Sequence, residues 1–252
     1  MVEAAAARYD SLAGRVVVIT GGASGIGATM VEAFVTQGCR VHFLDVQTKE
    51  GQALASQLAA ARFHDCDLRD IDALRRTIAA IEADTGEIDV LINNAGNDDR
   101  HDMFAIEPDY WRDRMATNLD HQFFVSQAVA RGMKARGRGS IILMSSTSWL
   151  RGRPGMAAYT AAKAAVVGLT RTLARELGED GVRINCIVPG AIATERQTEL
   201  WLTPDVEREV MNAQALKLRL DAGHVARMAL FLASEEAGAC TGAQFVVDAG
   251  LS

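Results

Sequence analysis

Four β-branched residues in succession, Val16-Val17-Val18-Ile19, lead through Thr20 into Gly21-Gly22-Ala23-Ser24-Gly25-Ile26-Gly27, and no other stretch restricts the fold as much. An unbroken apolar run of this length reads as a strand buried on both faces, the mark of a parallel sheet covered by helices. The glycines let the backbone turn tightly into a helix expected to begin near Ile26. Such a junction is a seat for phosphate. Unpaired backbone N–H groups and the positive end of the helix dipole converge on it, so a pyrophosphate binds there with little help from side chains.

The rest of the chain repeats the alternation. The helix after the turn presents Ile26, Met30, Ala33 and Phe34 on one face, and Arg40-Val41-His42-Phe43-Leu44-Asp45 reads as a second strand closed by an acid. A polar helix over about 48–60 precedes a short strand at Arg62 to Cys66, followed by Asp67-Leu68. Asp70 stands where it caps a helix carrying Ile71, Leu74, Ile78 and Ile81 at helical spacing. Ile88 to Ile92 gives a fourth strand, ending in Asn93-Asn94-Ala95-Gly96. A mostly helical section from Pro108 to Lys134 leads to a fifth, Ser140 to Met144, which runs into Ser145-Ser146. A helix over Met156 to Leu177 follows, then a strand from Val182 stopped by Pro189-Gly190, and a mixed stretch over 191–220. Asp221 opens another helix, and Gln244 to Asp248 is the last strand. Strand and helix alternating in this way demand parallel pairing, because each return crossover is right-handed. The expected architecture is α/β, a single doubly wound Rossmann domain over 1–252 with a seven-stranded parallel sheet flanked by helices.

The four prolines are scattered at 108, 154, 189 and 204, and no Ser/Gly/Pro-rich run marks a hinge. A net charge of −6 lacks the basic face that nucleic acid requires. No apolar run approaches the roughly 18 residues that span a bilayer, and Met1 to Ala13, with Glu3, Arg8 and Asp10, has no signal-peptide core. A cytoplasmic protein without nucleic-acid or membrane partners is expected. Cys39, Cys66, Cys186 and Cys240 are far apart and the histidines (42, 64, 101, 121, 224) show no metal spacing, so the thiols are expected to be reduced packing residues and no metal is expected.

In an open parallel sheet, ligands bind outside the carboxyl ends of the strands. Gly21, Asp45, Asp67, Asn93, Ser146 and Pro189 each fall within a residue or two of such an end, so six strands deliver an unusual residue to one rim. Asp45, closing the second strand, can accept both hydroxyls of an adenosine ribose, whereas a 2′-phosphate there would lie beside a carboxylate. Lys49, the nearest downstream cation, falls on the next helix, so NAD rather than NADP is expected. Tyr159 and Lys163 stand four apart on a helix, about 6 Å between Cβ atoms. Bringing a phenol from about 10 to about 7 takes about 4 kcal/mol, and one ammonium about 4 Å away at an effective dielectric of about 20 supplies about that. The positive ring of an oxidised nicotinamide adds to it. Tyr159 is thereby expected to be the base that takes a hydroxyl proton while hydride leaves the same carbon.

At this point the chain resembles a classical short-chain dehydrogenase/reductase over nearly its whole length. The T-G-x-x-x-G-x-G pattern is met by Thr20, Gly21, Gly25 and Gly27, N-N-A-G by Asn93 to Gly96, and Y-x-x-x-K by Tyr159 and Lys163. Ser146 stands thirteen before the tyrosine, and P-G-x-x-x-T is Pro189, Gly190 and Thr194. The resemblance implies a catalytic set of Asn118, Ser146, Tyr159 and Lys163, in which Ser146 hydrogen-bonds the reacting oxygen and Asn118 holds a relay water. It implies that the cofactor rests on Gly21, Ser24, Gly25, Ile26 and Gly27, with Asp45, Asp67 and Leu68 at the adenosine end. Asn94, Ala95, Gly96, Pro189, Gly190, Ile192 and Thr194 complete that surface, joined by Tyr159 and Lys163. A homotetramer is implied as well.

Finer detail is similar to the sugar 1-dehydrogenases of the D-xylose and L-arabinose type. The segments are Asn97-Asp98-Asp99-Arg100-His101, Tyr110-Trp111, His121-Gln122, Ser148-Trp149, Glu195-Arg196-Gln197 and the ending around Cys240 to Gly250. On this likeness Asn97, Asp98, Ser148, Trp149, Arg196 and Gln197 are substrate contacts, and residues 191–220 form a cover over the site. Plainer readings stand beside these: a solvated loop for Asp98 to Arg100, an interface or lid residue for Trp149, a surface charge for Arg196, and surface helices for 191–220. The expected reaction is NAD-dependent oxidation of an aldose, pentose or hexose, at C1 to the lactone. The alternative is oxidation of another alcohol, such as a polyol, a steroid-like alcohol or a hydroxy acid, by the same chemistry.

Overall fold

The computed structural model describes residues 7–252; Met1 to Ala6, part of the stretch read as lacking a signal-peptide core, lie outside the described residues. The first strand, β1 (Val16–Thr20), leads into α1 (Gly25–Thr36), β2 (Arg40–Asp45), α2 (Thr48–Gln57) and β3 (Ala61–Asp65). The chain then crosses through α3 (Ile71–Thr85) to β4 (Val90–Asn93), and through α4 (Pro108–Met115) and α5 (His121–Arg136) to β5 (Gly139–Met144). It continues as α6 (Ala157–Leu177), β6 (Val182–Pro189), α7 (Glu195–Leu200), α8 (Pro204–Ala213), α9 (Ala222–Ala233) and β7 (Gln244–Val247). The strands make a seven-stranded sheet in the order β3-β2-β1-β4-β5-β6-β7. Every pairing is parallel. This is the expected doubly wound architecture.

All five residues of β1 are buried, and their alternation divides them between two cores. Val17 and Ile19 join Met30 and Phe34 of α1 and Val225 and Leu230 of α9. Val16 and Val18 join Leu74 and Ile78 of α3, Val125 and Val129 of α5, and Val166 of α6. Both faces of the sheet are therefore covered, which is why β1 carries no polar alternation. The chain grows outward from β1 through β2 to β3, then returns to the other flank of β1 with β4. That reversal opens a crevice at the carboxyl ends of β1 and β4.

Asp70 caps α3 by accepting from the Ala73 N–H at 2.9 Å, and Asp221 caps α9 in a capping box with His224. Several element ends shift by a residue or a few from the sequence expectation, β3 and β7 among them, and three departures have a local physical cause. The strand expected from Ile88 starts at Val90, because the Asp89 carboxylate instead accepts from the Val16 N–H at 3.0 Å and pairs with Arg15. The sixth strand runs through Pro189, whose C=O still accepts from the Thr147 N–H at 2.9 Å. The helical section after Pro108 is broken by a π-helical turn at Ala116–Asp120. Among the described residues, no helix is long and apolar enough to cross a membrane.

Candidate active site

A cleft of about 860 Å³ runs along the carboxyl rim of the sheet, large for a small-molecule site. At its base the turn after β1 is shaped by close approach. A Cβ on Gly21 would come 2.7 Å from the Ala95 Cα, and one on Gly27 would come 1.8 Å from the Gly21 carbonyl oxygen. The first intrahelical bond of α1 is Ala28 N–H to Ser24 C=O, and Ser24 makes no side-chain cap. The amides of Gly25, Ile26 and Gly27 are thus left for an anion in the cleft they line. A dinucleotide fits this cradle.

Asp45 is only 7% exposed. Its carboxylate accepts from the Ala23 N–H at 3.0 Å and the Gln47 N–H at 3.0 Å, so it braces the glycine turn as well as lining the cleft. Lone pairs remain for ribose hydroxyls. Glu50 lines the wall beside it, whereas Lys49 is exposed and does not. Farther along that wall lie Asp67 and Leu68. Arg69, hydrogen-bonded to Asp67, holds that carboxyl below its ordinary range.

The β4 end is knitted to the β1 end. Asn94 Nδ2 donates to the carbonyls of Thr20 (3.1 Å) and Gly21 (2.9 Å), and Ala95 N–H donates to Thr20 Oγ1 at 3.2 Å. Gly96 leaves room for the Lys163 ammonium, which a Cβ there would approach to 3.1 Å. Pro189, Gly190, Ile192 and Thr194 form the opposite wall, with Thr194 Oγ1 also capping α7 by accepting from the Gln197 N–H at 3.3 Å.

Ser146, Tyr159 and Lys163 come together on the cleft between these walls. The Ser146 hydroxyl faces the same stretch of cleft as Tyr159 and favours the phenolate. Lys163 Nζ lies 5.6 Å from the Tyr159 ring centroid and donates to the Met144 carbonyl at 2.9 Å. That carbonyl is shared with Gln122, whose amide bridges the Met144 backbone and the Asn118 C=O. Burial lowers the Lys163 pKa to about 8.

Two sequence expectations, those for the action of Lys163 and for Trp149, are corrected, and Asn118 takes a place behind the cleft. Lys163 does not by itself bring the phenol toward neutrality: burial, and then the nearby Asp98 carboxylate, push Tyr159 up, and Ser146 and Arg196 offset this only in part. Asn118 is fully buried and does not line the cleft; its Oδ1 accepts from the Asn97 N–H at 2.7 Å and so fixes the segment after N-N-A-G. Trp149 does not line the cleft either, since its indole N–H is turned to Ser145 Oγ at 3.1 Å.

The other expected substrate residues meet one another. Asp98 is ion-paired with Arg196 and accepts from Gln197 Nε2 at 2.7 Å, while Arg196 also donates to Asn97 Oδ1 at 3.1 Å. Residues from the 191–220 stretch thereby close on the segment after β4. Ser148 lines the cleft with a buried Oγ that has no partner. Arg153 and Trp201 line it too and were not in the expected set, nor was Arg100 beyond its place in a motif. Arg153 was findable: it lies on the loop between Ser146 and Tyr159, which has to pass over the site both residues face.

A family model described as Enoyl-(Acyl carrier protein) reductase matches residues 21–252. D-xylose 1-dehydrogenase of Caulobacter vibrioides is 46% identical over 246 residues, covering 96% of this chain and 97% of that relative. The probable galactose dehydrogenase GalD of Rhizobium meliloti is 41% identical over 249 residues, covering 97% of each. A solved short-chain type dehydrogenase/reductase from Mycobacterium ulcerans superposes with a TM-score of 0.91 at 27% identity, over 96% of this chain and 90% of that one. With likeness running the length of both partners, in sequence and in fold, this chain belongs to the short-chain dehydrogenase/reductase family and is an oxidoreductase of the kind that works with a nicotinamide cofactor.

Proposed function

We propose that the enzyme oxidises an aldose at C1 to the sugar lactone with NAD, Tyr159 serving as base. The observation that carries this reading is the meeting of Ser146, Tyr159 and Lys163 on the cleft wall opposite the glycine cradle. NAD, when bound, supplies the hydride acceptor and a positive ring near the phenol. Tyr159 takes the proton of the anomeric hydroxyl, and Ser146 holds that oxygen through its hydroxyl. Lys163 has three donors and spends one on Met144, which leaves two for the phenol and the cofactor's ribose. Asn118 keeps Asn97, and with it the roof of the site, in register. Residues 191–220 cover the substrate through Arg196 and Gln197.

The preference for NAD over NADP rests on Asp45 and Glu50, which leave a 2′-phosphate facing carboxylates. The choice of an aldose rests on the polar roof, since each hydroxyl needs a partner once water is excluded, and on the names of the two relatives. A cytoplasmic homotetramer is part of the same reading. The test is a panel of pentoses, hexoses, polyols, hydroxy acids and steroid alcohols, each supplied with NAD or NADP and followed by NAD(P)H absorbance. Oxidation of at least one aldose with NAD at least tenfold better than with NADP is expected. Silence with every aldose and turnover of a non-sugar alcohol would remove the sugar.

A further inference from the structure

The substrate end of the cleft holds more hydrogen-bond donors than its acceptors use. The Arg100 guanidinium lies 4.0 Å over the Trp201 ring, its Nε buried and without a partner. Arg153 is half-buried, and among the described residues its guanidinium makes no ion pair or hydrogen bond; the charges acting on it are those of Arg100 and Arg151 and, less strongly and in the opposite sense, that of Asp98. Trp201 Nε1 and Ser148 Oγ are buried and unpartnered on the same walls. The acids nearby do not answer this excess. Asp98 is taken by Arg196 and Gln197, and Glu195 and Glu199, which also line the cleft, are exposed to solvent and bond neither arginine.

Guanidinium groups stay charged in proteins, so two of them drawn partly out of water on one cleft, each unpaired, lack the anion that offsets their desolvation. Burial and the neighbouring arginines weaken the hold of Arg153 on its proton, the electrostatic sign of an unanswered positive site. We infer that the substrate is an acidic sugar, an aldose bearing a carboxylate or a phosphate, whose oxyanion is received by Arg100 and Arg153 while C1 meets Tyr159. Arginine suits planar or tetrahedral oxyanions because its donors form a fork. The inference rests on the sugar reading above and narrows it.

The test compares initial rates of NADH formation on D-galactose and D-glucose, on their uronic acids and on their 6-phosphates, with wild type, Arg153→Gln and Arg153→Lys. At least one acidic sugar is expected to exceed its neutral parent ten- to hundredfold in kcat/KM, the range of charge-assisted hydrogen bonds. The uronic acid and phosphate arms distinguish the two anions. Arg153→Gln should cut the acidic-to-neutral ratio at least tenfold, and Arg153→Lys should keep part of it. Neutral sugars oxidised as well as both acids, with a ratio that Arg153→Gln leaves alone, would overturn the inference while sparing the sugar reading. If no sugar reacts, the sugar reading fails, and calorimetric titration of the enzyme–NADH complex with galacturonate and galactose 6-phosphate decides the anion seat. Saturable binding weakened at least tenfold by Arg153→Gln supports it, and absence of saturable binding overturns it.

Discussion

Lys163 combines a chemical role with a cost to stability. Its folded-state pKa of about 8 lies below the ordinary 10.5, so the folded chain holds this proton less tightly than the unfolded chain. Its contribution is therefore unfavourable below about pH 8 and fades as the pH rises to 10.5, the full difference amounting to about 3 kcal/mol. Lys163→Met should lose turnover and yet resist urea better than wild type at pH 7, by about 1–3 kcal/mol, with the advantage shrinking by pH 10. A variant less stable at pH 7 would show that the Met144 hydrogen bond outweighs the buried charge. Asp45 is the opposite case, a cofactor residue that also holds the fold. Asp45→Ser should destabilise by about 1–3 kcal/mol, because the buried Ala23 N–H loses its acceptor. It should also reduce the NAD preference over NADP at least tenfold in kcat/KM. His121, fully buried beside Lys163 with its pKa lowered by burial to about 3, stays neutral through the working range. The unfolded chain takes up this proton below about pH 6.5 and the folded chain does not, so stability should fall as pH drops from there. Replacement by Phe should flatten that acid limb in thermal unfolding.

Among the elements, α7 and α8 have the least to hold them. The α7 helix is six residues long, and its tie to the opposite rim is the Arg196 and Gln197 contact with Asp98 and Asn97. Arg196 is 44% exposed, so such a pair contributes on the order of 1 kcal/mol or less. A cover held this loosely can open for substrate and close behind it. Arg196→Ala should speed amide hydrogen exchange in 195–213 by up to about fivefold, with β1 unaffected; unchanged exchange would deny that this contact restrains the cover. The sequence showed this stretch only as mixed, with surface helices as one reading of it: six-residue α7 buries no side chain, whereas α8 does carry readable signals, Val206 and Val210 four apart behind the Thr203-Pro204 start. The π-helical turn at Ala116–Asp120 was hidden, since residue types on either side favour an ordinary helix. That turn sets Asn118 against Asn97, whose N–H its Oδ1 accepts.

The molecule as a unit was far more legible. The run Val16 to Ile19 implied two covered faces, and the two cores meet it residue by residue. Short strands at regular intervals, each ending in an unusual residue, implied a common rim, and Gly21, Asp45, Asp67, Ser146 and Pro189 all line one cleft, whereas Asn93, the sixth of that set, is buried and donates to Ser126 Oγ. Legibility stopped where long side chains decide the outcome. Whether Asp98 points to solvent, to substrate or to Arg196 depends on a neighbour about a hundred residues away, and no local pattern encodes that. The phenol's protonation is of the same kind: the i, i+4 spacing promised proximity to Lys163, whereas burial and the Asp98 carboxylate hold the phenol protonated. The expected homotetramer belongs here as well, and analytical ultracentrifugation should give a mass near four times the 27.0 kDa chain.

The chemistry turns on one hydroxyl. Tyr159→Phe removes the proton acceptor while keeping the ring that packs beside Lys163, so steady-state NADH formation from the best aldose should fall at least about a thousandfold, within the range of general-base contributions. NADH affinity, measured by fluorescence titration of the same preparation, should stay within about threefold, since the cradle of Gly25, Ile26 and Gly27 is untouched. Turnover within about tenfold of wild type, with NADH still bound, would contradict the assignment of Tyr159 as the base.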